Sequence, residues 1–583
     1  MVLAGAARLW GLDLVEFKSD EAGWLTLAEN LVRLGQVPLA GLHSSQGITA
    51  PPHFAYVLAP LMALGRAPEV ATAAIGLANV AAVAGTGWLA WRAFGPLAAI
   101  VATSLYAVNP WAVFWARKIW QPDLMPPLAV LLFLALDLGI VRRRLRWAAA
   151  AMPIGVLATM VHLSFFVLLP VLAAPVVVLL RARRWRLLLL AFGLSFLIIL
   201  PSLIYEQQIV GWQDYRDLRY FQSQRSATNL VGLGYALELA TGWDARTLVN
   251  VPVQAFGWPA LVNVAGGVEV ALLGVALLLA LGSLVGAGSD SRRTRVVGLV
   301  VWLVLPVALT ARHNMLLYPH YYLLLLPAPF VLIGAAVQQL GSSTWKARRA
   351  ALVAVAGATA VVVAVQALTS FQFFAYLGTT NPGCFYGLPL GRSREIAANL
   401  SRLGQASASA QLSLETGAAG LGYLLRPDFT RIEAPDATLV ALGESTAQSA
   451  TSTSGVRVLD DWLGSLSVDD GQPRLAIAWQ VGSDIDARTS LQWLVSIGDT
   501  RLQIGVAHTV GSLNGQPMVS LLETQVPETL TPGTYSLDVQ LLDDALNQPM
   551  TLTLADGTRT TRWSLGSVQV TPKPPCSPEE SAL

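Results

Sequence analysis

Two groups of ionisable residues lie beside apolar segments of this chain, and their types suit one kind of chemistry. Asp20 and Glu21 are adjacent in FKSDEAGWLTLAEN, directly after the first apolar stretch. Arg117 and Lys118 precede Asp123 in WARKIWQPDLMPP. A carboxylate can accept the proton of an attacking hydroxyl, and basic side chains can stabilise a departing phosphate. These residue types therefore suit transfer of a group from a phosphate-linked donor to a hydroxyl.

Each of these residues also has a simpler interpretation. Asp20 is a suitable N-cap for the amphipathic stretch that follows it, although a cap does not require Glu21. Arg117 can snorkel from a belt of tryptophans at a membrane interface. Asp123, at the entry to a helix, would gain only a modest interaction with the helix dipole. Because ionisable groups at a membrane boundary are costly, we predict Asp20, Glu21 and Asp123 as catalytic residues.

Two later segments add polar residues to this set. The stretch VHLSF contains His162, and RHNMLLYPHYY contains Arg312, His320, Tyr321 and Tyr322. An aromatic belt explains the tyrosines, and a lone histidine near an interface is more often a satisfied polar group than a catalyst. Arg312 and His320 have no such explanation. The predicted phosphate ligands are Arg117, Lys118, Arg312 and His320, and the predicted pocket residues are His162, Tyr321 and Tyr322.

The composition indicates a protein embedded in a membrane. Of the 583 residues, 54% are hydrophobic and 13% are charged, whereas soluble proteins carry about 25% charged residues. Many apolar runs approach the roughly 20 residues that a spanning helix needs. The basic residues do not form the footprint of a nucleic-acid-binding protein. Cys384 and Cys576 form no metal-type cluster, and a disulfide and a free pair are equally compatible with the sequence.

Four short basic loops define the predicted topology. They lie at 142–146, 181–186, 292–295 and 346–349, and the positive-inside rule places them in the cytoplasm. The apolar runs between them predict spans at 68–91, 96–116, 124–141, 147–161, 165–180, 187–205, 259–287, 296–311, 320–340 and 350–375. With the apolar start this gives about eleven spans. All candidate site residues then face the exterior.

Two apolar segments are too short to span the bilayer. Residues 1–14 show no signal-peptide cleavage pattern, and we expect that this start lacks half of the first helix. Residues 53–65 predict an interfacial or re-entrant helix on the exterior side, because a helix of that length reaches about 20 Å across a core of about 30 Å.

The composition changes after residue 376, where apolar runs shorten. RSREIAANLSRLG, at 392–404, predicts a helix, and alternating apolar residues from about 456 predict a β-sandwich. The predicted domains are a transmembrane catalytic domain at 1–376, an exterior α/β linker region at 377–455, an exterior β-sandwich at 456–572 and a disordered tail at 573–583. The sandwich is equally suited to binding an acceptor or glycan and to a structural role.

The predicted chemistry favours a lipid-linked sugar as the donor. Apolar helices can hold a polyprenyl tail, basic residues its phosphate, and an exterior acid the proton of an acceptor hydroxyl on a glycan, lipid or protein. The sequence contains no glycine-rich phosphate loop, which argues against a nucleotide-sugar donor.

Residues 1–375 resemble the GT-C glycosyltransferases, which include protein O-mannosyltransferases, the aminoarabinose transferase of lipid A and Rgt-like enzymes. The resembling stretches are SDEAGW, PPHFAYVLAPLMALG, ARKIWQPDLMPP, HLS and YPHYYLLLLPAP. The resemblance implies a polyprenyl-phosphate sugar donor and inversion of the anomeric centre. It further implies that Asp20 is the base, and that Glu21 is its neighbour or a ligand of a divalent metal that some relatives use.

The resemblance also assigns roles in the later loops. Asp123 matches the acid of the second exterior loop, and Arg117 and Lys118 match its basic neighbours. His320 stands where relatives often have an arginine before a tyrosine, and this departure directs attention to Arg312.

Two other classes of protein compete with a glycosyltransferase. A transporter or flippase usually shows paired halves and polar residues near the bilayer midplane, whereas the halves of this chain do not resemble each other. A non-catalytic cell-surface protein that binds glycans through the sandwich would leave the acids at the membrane unexplained.

Overall fold

The structure is a computed structural model of the 583-residue chain. It describes all residues except 44–47, 224–225, 244–257, 286–289, 315, 380–388, 406–410, 414–418, 426–430, 434–454, 464–473, 503–507, 511–517, 524–529, 532, 544–545, 547 and 571–583. Cys384, Cys576 and the predicted tail lie outside the described residues.

The chain divides into two compact units. The first comprises Met1–Leu12, Leu27–Thr247 and Val253–Ala375, and the second comprises Asp13–Thr26, Leu248–Pro252 and Tyr376–Leu583. The short segment Asp13–Thr26, which carries Asp20 and Glu21, belongs to the second unit.

Helices build most of the chain as far as residue 379. In chain order the α-helices are α1 (Val2–Leu9), α2 (Ser19–Leu34), α3 (His53–Leu64), α4 (Pro68–Ala93), α5 (Pro96–Val108), α6 (Pro110–Trp115), α7 (Met125–Leu136), α8 (Leu145–Val161), α9 (Ala173–Arg181), α10 (Trp185–Gln208), α11 (Gln213–Ser223), α12 (Val231–Thr241), α13 (Pro259–Val285), α14 (Asp290–Thr310), α15 (Pro327–Ser342), α16 (Arg348–Thr379), α17 (Leu390–Gln405) and α18 (Ala419–Leu425). Short 3-10 helices lie at Leu12–Leu14, Gln121–Leu124, Leu163–Leu172 and Pro319–Leu325, and a π-helical turn at Asp137–Val141 follows α7.

The apolar helices make this a polytopic helical membrane protein. Seven helical segments of the described chain are long and apolar enough to cross a bilayer, and an eighth forms if Pro319–Leu325 and α15, bent by 42°, count as one span. The helices α3, α5 and α8 are apolar but shorter. The predicted number of about eleven spans stays a prediction.

The span predicted over 96–116 is wrong as a single helix. It is broken between α5 and α6 at Asn109, whose backbone is extended (φ −52°, ψ 121°) and whose side chain accepts a hydrogen bond from the Ala112 amide. Pro110 explains the break, because a residue before proline avoids the helical conformation and proline suits the first turn of the next helix.

Ionic contacts join two of the basic loops at one end of the first unit. Asp137, at the end of α7, accepts from Arg142 at 3.1 Å and from Arg295 at 2.7 Å. Arg292 also donates to Gln339 in α15 at 3.0 Å. Loops that the positive-inside rule assigned to one side of the membrane are therefore neighbours in the structure.

The second unit contains two β-sheets that face each other. The strands in chain order, including a short antiparallel pair of the first unit (β1 and β2), are β1 (Ala227–Thr228), β2 (Arg312–His313), β3 (Gln411–Ser413), β4 (Arg431–Glu433), β5 (Val456–Leu463), β6 (Arg474–Val481), β7 (Ser490–Ile497), β8 (Thr500–Leu502), β9 (His508–Thr509), β10 (Met518–Glu523), β11 (Gly533–Asp543), β12 (Gln548–Pro549), β13 (Leu552–Thr553), β14 (Arg559–Thr560) and β15 (Trp563–Val570). One sheet has the order β14-β13-β5-β6-β10-β3-β4, and the other has β12-β11-β7-β8 with β15 on β11 and β9 on β7.

The inner faces of the two sheets share one apolar core. Trp479 from β6 and Trp493 from β7 meet edge to face, with ring centroids 5.5 Å apart. Burial alternates along β7 from Ser490 to Val495, since every second side chain of a strand points to the same face, whereas β6 is buried throughout from Ile477 to Val481. The strands β3 and β4 lie before residue 456, so the sheet also takes in part of the region that the sequence predicted as a linker.

Candidate active site

The acidic pair lies in the first turn of α2, and its two members differ. The Lys18 carbonyl accepts the first helical hydrogen bond, from the Ala22 amide at 3.1 Å, which makes Lys18 the N-cap. The Glu21 carboxylate accepts from the Lys18 backbone N–H at 2.9 Å and is 1% exposed. Asp20 is exposed. Glu21 therefore has a helix-capping role. The N-cap position that the sequence suggested for Asp20 is occupied by Lys18.

This difference gives a prediction about local stability. Glu21→Ala removes the acceptor of the Lys18 amide, which should cost about 1 kcal/mol and raise hydrogen–deuterium exchange of that amide about fivefold. Residue-resolved exchange by mass spectrometry measures this effect. Asp20→Ala is the matched control, and an equal increase in both variants would contradict the capping role of Glu21.

The residues near Glu21 do not fit a metal site. Glu21 already accepts a backbone N–H, and Glu16 pairs with Lys18 at 3.1 Å. Throughout the described part of the chain, no group of three or more histidine, cysteine, aspartate or glutamate side chains is arranged to hold a metal ion. The metal-binding role that the resemblance implied for Glu21 gains no support, and no step below uses a metal.

Other predicted site residues lie within the first unit, where their rings are grouped together. We define the aromatic cluster as Trp115, Trp120, His162, Tyr318, His320 and Tyr321. His320 is central, since its ring centroid lies 4.5 Å from those of Trp120 and Tyr321 and 6.1 Å from that of His162. Trp115 and Trp120 stack with centroids 5.3 Å apart.

The Lys118 ammonium lies over this cluster. Its nitrogen is 4.8 Å from the centroid of Trp120 and 5.4 Å from that of Trp115, and the residue is partly exposed. The negative faces of indole rings attract a cation at this range. Lys118 therefore has a preferred position on the cluster while part of the side chain still meets solvent.

Packing behind the 3-10 helix Pro319–Leu325 fixes the orientation of His320 and Tyr321. The Trp302 indole donates to the Leu324 carbonyl at 2.7 Å, and Trp302 stacks on Phe133 with centroids 3.9 Å apart. Tyr322 turns away from the cluster and bonds Thr310 at 2.6 Å. Both tyrosines were predicted as pocket residues. Tyr321 belongs to the cluster, whereas Tyr322 packs behind it.

His162 enters the cluster as a neutral ring. Its Nδ1 lies 2.8 Å from the Ser164 hydroxyl, and the Ser164 hydroxyl donates to the sulfur of Met125 at 3.3 Å. Burial lowers the pKa of His162 to about 4. His162 is therefore a hydrogen-bonding group near pH 7 and adds no positive charge to the cluster.

Arg117 and Lys118 are adjacent in sequence, but their side chains lie in different environments. Arg117 is 3% exposed, donates to the carbonyls of Ala7 and Gly11, and lies over the ring of Phe374 at 4.1 Å. Its guanidinium thus satisfies carbonyls at the end of α1, which lack partners within that helix. Arg117 was predicted as a phosphate ligand, but the hydrogen bonds of its guanidinium go to backbone carbonyls.

Asp123 and Arg312 lie in contrasting environments. Asp123 is 0% exposed, and its carbonyl accepts from Asn79 of α4 at 2.9 Å. Arg312 is exposed on β2, and its Nε donates to Ser226 at 2.8 Å. The structure thus groups Lys118, His162, His320 and Tyr321 of the predicted site, and no contact that it shows joins Arg312 to them among the described residues.

Glu269 is one of several buried acids in the first unit that were not predicted as site residues. Glu269, in α13, is 0% exposed and accepts from Gln366 of α16 at 2.6 Å, and Gln366 also donates to the Thr241 carbonyl at 3.1 Å. Glu269 is the single ionisable residue in an otherwise apolar helix, a signal that the sequence contains. This network holds the end of α12 against the spanning helices.

No family model and no curated protein matches this chain. Similar solved structures include ArnT from Cupriavidus metallidurans bound to undecaprenyl phosphate, with 14% identity and a TM-score of 0.46 over 75% of this chain and 85% of ArnT. An oligosaccharyltransferase from Archaeoglobus fulgidus has 11% identity and a TM-score of 0.44, with coverages of 76% and 62%.

A third similar structure is the arabinosyltransferase EmbB from Mycobacterium smegmatis, with 11% identity and a TM-score of 0.42 over 99% of this chain and 60% of EmbB. All three are GT-C membrane glycosyltransferases, the group that the sequence motifs resemble.

Proposed function

We propose that the protein is an inverting glycosyltransferase that moves a sugar from a polyprenyl-phosphate donor to an acceptor hydroxyl. The observation that carries the proposal is the Lys118 ammonium held over Trp115 and Trp120, beside His320. Such a surface offers a positive charge to a phosphate and ring faces to the apolar side of a sugar or an isoprenoid. Its setting among apolar helices suits a lipid-linked donor.

Lys118 is the proposed phosphate ligand. The bond from the anomeric carbon to the phosphate oxygen breaks, and its electron pair stays on the polyprenyl phosphate, whose charge Lys118 stabilises. His320 contributes hydrogen bonds in this proposal, and Arg312 is an additional candidate for the phosphate because it is exposed. Arg117 and Asp123, which are buried, support the loop that presents Lys118.

Asp20 is the proposed general base. The acceptor oxygen forms a bond to the anomeric carbon from the face opposite the phosphate, and its proton passes to the Asp20 carboxylate. Asp20 is exposed, as a group that contacts an acceptor must be. The Glu21 carboxylate instead accepts a hydrogen bond from the Lys18 backbone N–H at the start of α2. Attack opposite the leaving group inverts the anomeric configuration.

We place this reaction on the exterior face of the membrane. Two of the basic loops that the positive-inside rule assigns to the cytoplasm are joined through Asp137. Lys118 precedes the candidate span Gln121–Val141 and His162 precedes Leu163–Arg181, and the basic loops at 142–146 and 181–186 lie at the other ends of these spans. The second unit, on this view, lies outside the membrane, where its sheets bind an acceptor or glycan or serve a structural role.

The experiment is sugar transfer from a panel of radiolabelled polyprenyl-phosphate sugars in membranes that contain the purified, reconstituted protein. Transfer of label to an acceptor supports the proposal. If no donor yields transfer and the liposomes show protein-dependent solute flux instead, the transporter interpretation replaces it. Binding of soluble glycans without transfer or flux would favour the non-catalytic receptor.

A further inference from the structure

The segment before Asp20 is held by residues from far along the chain, all within the second unit. The Val15 carbonyl accepts from the Leu390 amide at 2.7 Å, and Glu16 forms an antiparallel bridge with Pro389. Val15 and Phe17 are 2% and 4% exposed. The chain just before α2 is therefore paired and buried against the start of α17.

The helix α18 also packs closely on this segment. A Cβ atom on Gly420 would lie 2.5 Å from the Phe17 carbonyl oxygen and 3.1 Å from the Phe17 ring. Tyr423, one turn further along α18, meets the Phe17 ring edge to face with centroids 5.9 Å apart. The absence of a side chain at Gly420 is what allows α18 to pack on the backbone of Phe17.

The position of Phe17 determines where the first turn of α2 begins. Lys18 is the N-cap directly after Phe17, and Asp20 follows within that first turn. A displacement of the Phe17 carbonyl therefore moves Asp20. Because a shift of about 1 Å at a reacting group can cost about 100-fold in rate, this contact bears on catalysis.

We propose that Gly420 and Tyr423 are positioning residues for Asp20, so that the unit formed mainly by the C-terminal part of the chain aligns the general base. This inference rests on the proposed function. It assigns a role in the transfer reaction to two residues of the region that the sequence predicted as a linker, at 377–455.

The test is Gly420→Ala in the full-length protein, with Gly378→Ala as the matched control. Gly378 is also helical and lies beside the same segment, but its added Cβ would meet Leu14 at an ordinary 3.8 Å. We expect kcat for sugar transfer to fall about 10- to 100-fold in Gly420→Ala with KM for the donor unchanged. The control should stay within about twofold of the wild type.

A milder variant keeps the test decisive if Gly420→Ala folds poorly. Tyr423→Leu retains an apolar side chain and should lower kcat in the same way but by less. Hydrogen–deuterium exchange at Ser19–Ala22 should rise in Gly420→Ala and Tyr423→Leu and stay unchanged in Gly378→Ala. Unchanged kcat in both variants, or a fall in kcat that Gly378→Ala shares, would overturn the inference.

The exchange measurement separates this inference from the proposed function. If the wild type transfers no sugar, the proposed function fails, while altered exchange at Ser19–Ala22 still shows that α18 positions the acidic segment. If the wild type is active and neither kcat nor exchange responds, the proposed function stands and the positioning role is lost.

Discussion

Asp20→Asn is expected to lower kcat for sugar transfer by about 10²–10⁴-fold, the usual contribution of a general base. Asparagine matches aspartate in shape but cannot accept the acceptor's proton. Asp20 is exposed and Lys18, not Asp20, is the N-cap of α2, so we expect the protein to fold normally. Initial rates with a saturating radiolabelled donor, on protein of verified monodispersity, measure the change.

The neighbouring acid provides the control for this experiment. Glu21→Gln removes a charge yet keeps an oxygen that can accept from the Lys18 amide, and its activity should stay within a few-fold of the wild type. An active Asp20→Asn enzyme would exclude Asp20 as the base. Loss of activity in Glu21→Gln alone would move the role to Glu21.

The transmembrane helices could be predicted from the sequence because a bilayer imposes a strong constraint. A chain in lipid must satisfy its backbone hydrogen bonds internally, so spans appear as long apolar helices. The predicted span at 68–91 corresponds to α4 and the one at 259–287 to α13. The break at Asn109 was missed since the Asn-Pro pair lies inside an apolar run, where average hydropathy does not reveal it.

The candidate site was harder to predict because a sequence shows the types of residues but not the directions in which their side chains point. Arg117 and Lys118 are adjacent, yet one binds carbonyls at the end of α1 and the other lies over Trp120. The two acids also differ in a way that the sequence does not reveal. The Glu21 carboxylate accepts a hydrogen bond at the start of α2, whereas Asp20 is exposed to solvent.

Long-range pairing accounts for what could not be predicted around the acidic segment. A backbone hydrogen bond joins Val15 to Leu390, and α18 packs on Phe17. The parallel pairing of β3 with β10 is likewise between residues far apart in sequence. Periodicity predicts that an element exists and which face is apolar, but partners of this kind depend on the whole fold.

Lys118→Met is expected to lower kcat/KM for the lipid-linked donor by about 10²–10³-fold, the usual effect of removing one donor that stabilises developing negative charge. Methionine has a similar length and can still pack on Trp115 and Trp120, so the change isolates the loss of charge. Steady-state kinetics with varied donor concentration measure the effect. Lys118→Arg should retain part of the activity, because it keeps the charge and the attraction to the rings but alters the geometry of the phosphate contact.

A lysine-to-methionine substitution outside the candidate site tests whether the loss of kcat/KM is specific to Lys118. Lys346 lies in a basic loop predicted to be cytoplasmic, and Lys346→Met should leave kcat/KM within about twofold. Arg117→Met should act differently, since it leaves carbonyls of α1 without a donor and therefore lowers stability. If Lys118→Met is fully active while an Arg312→Met enzyme is not, the phosphate lies beside the paired strands β1 and β2, and the aromatic cluster would then bind only the sugar or the isoprenoid.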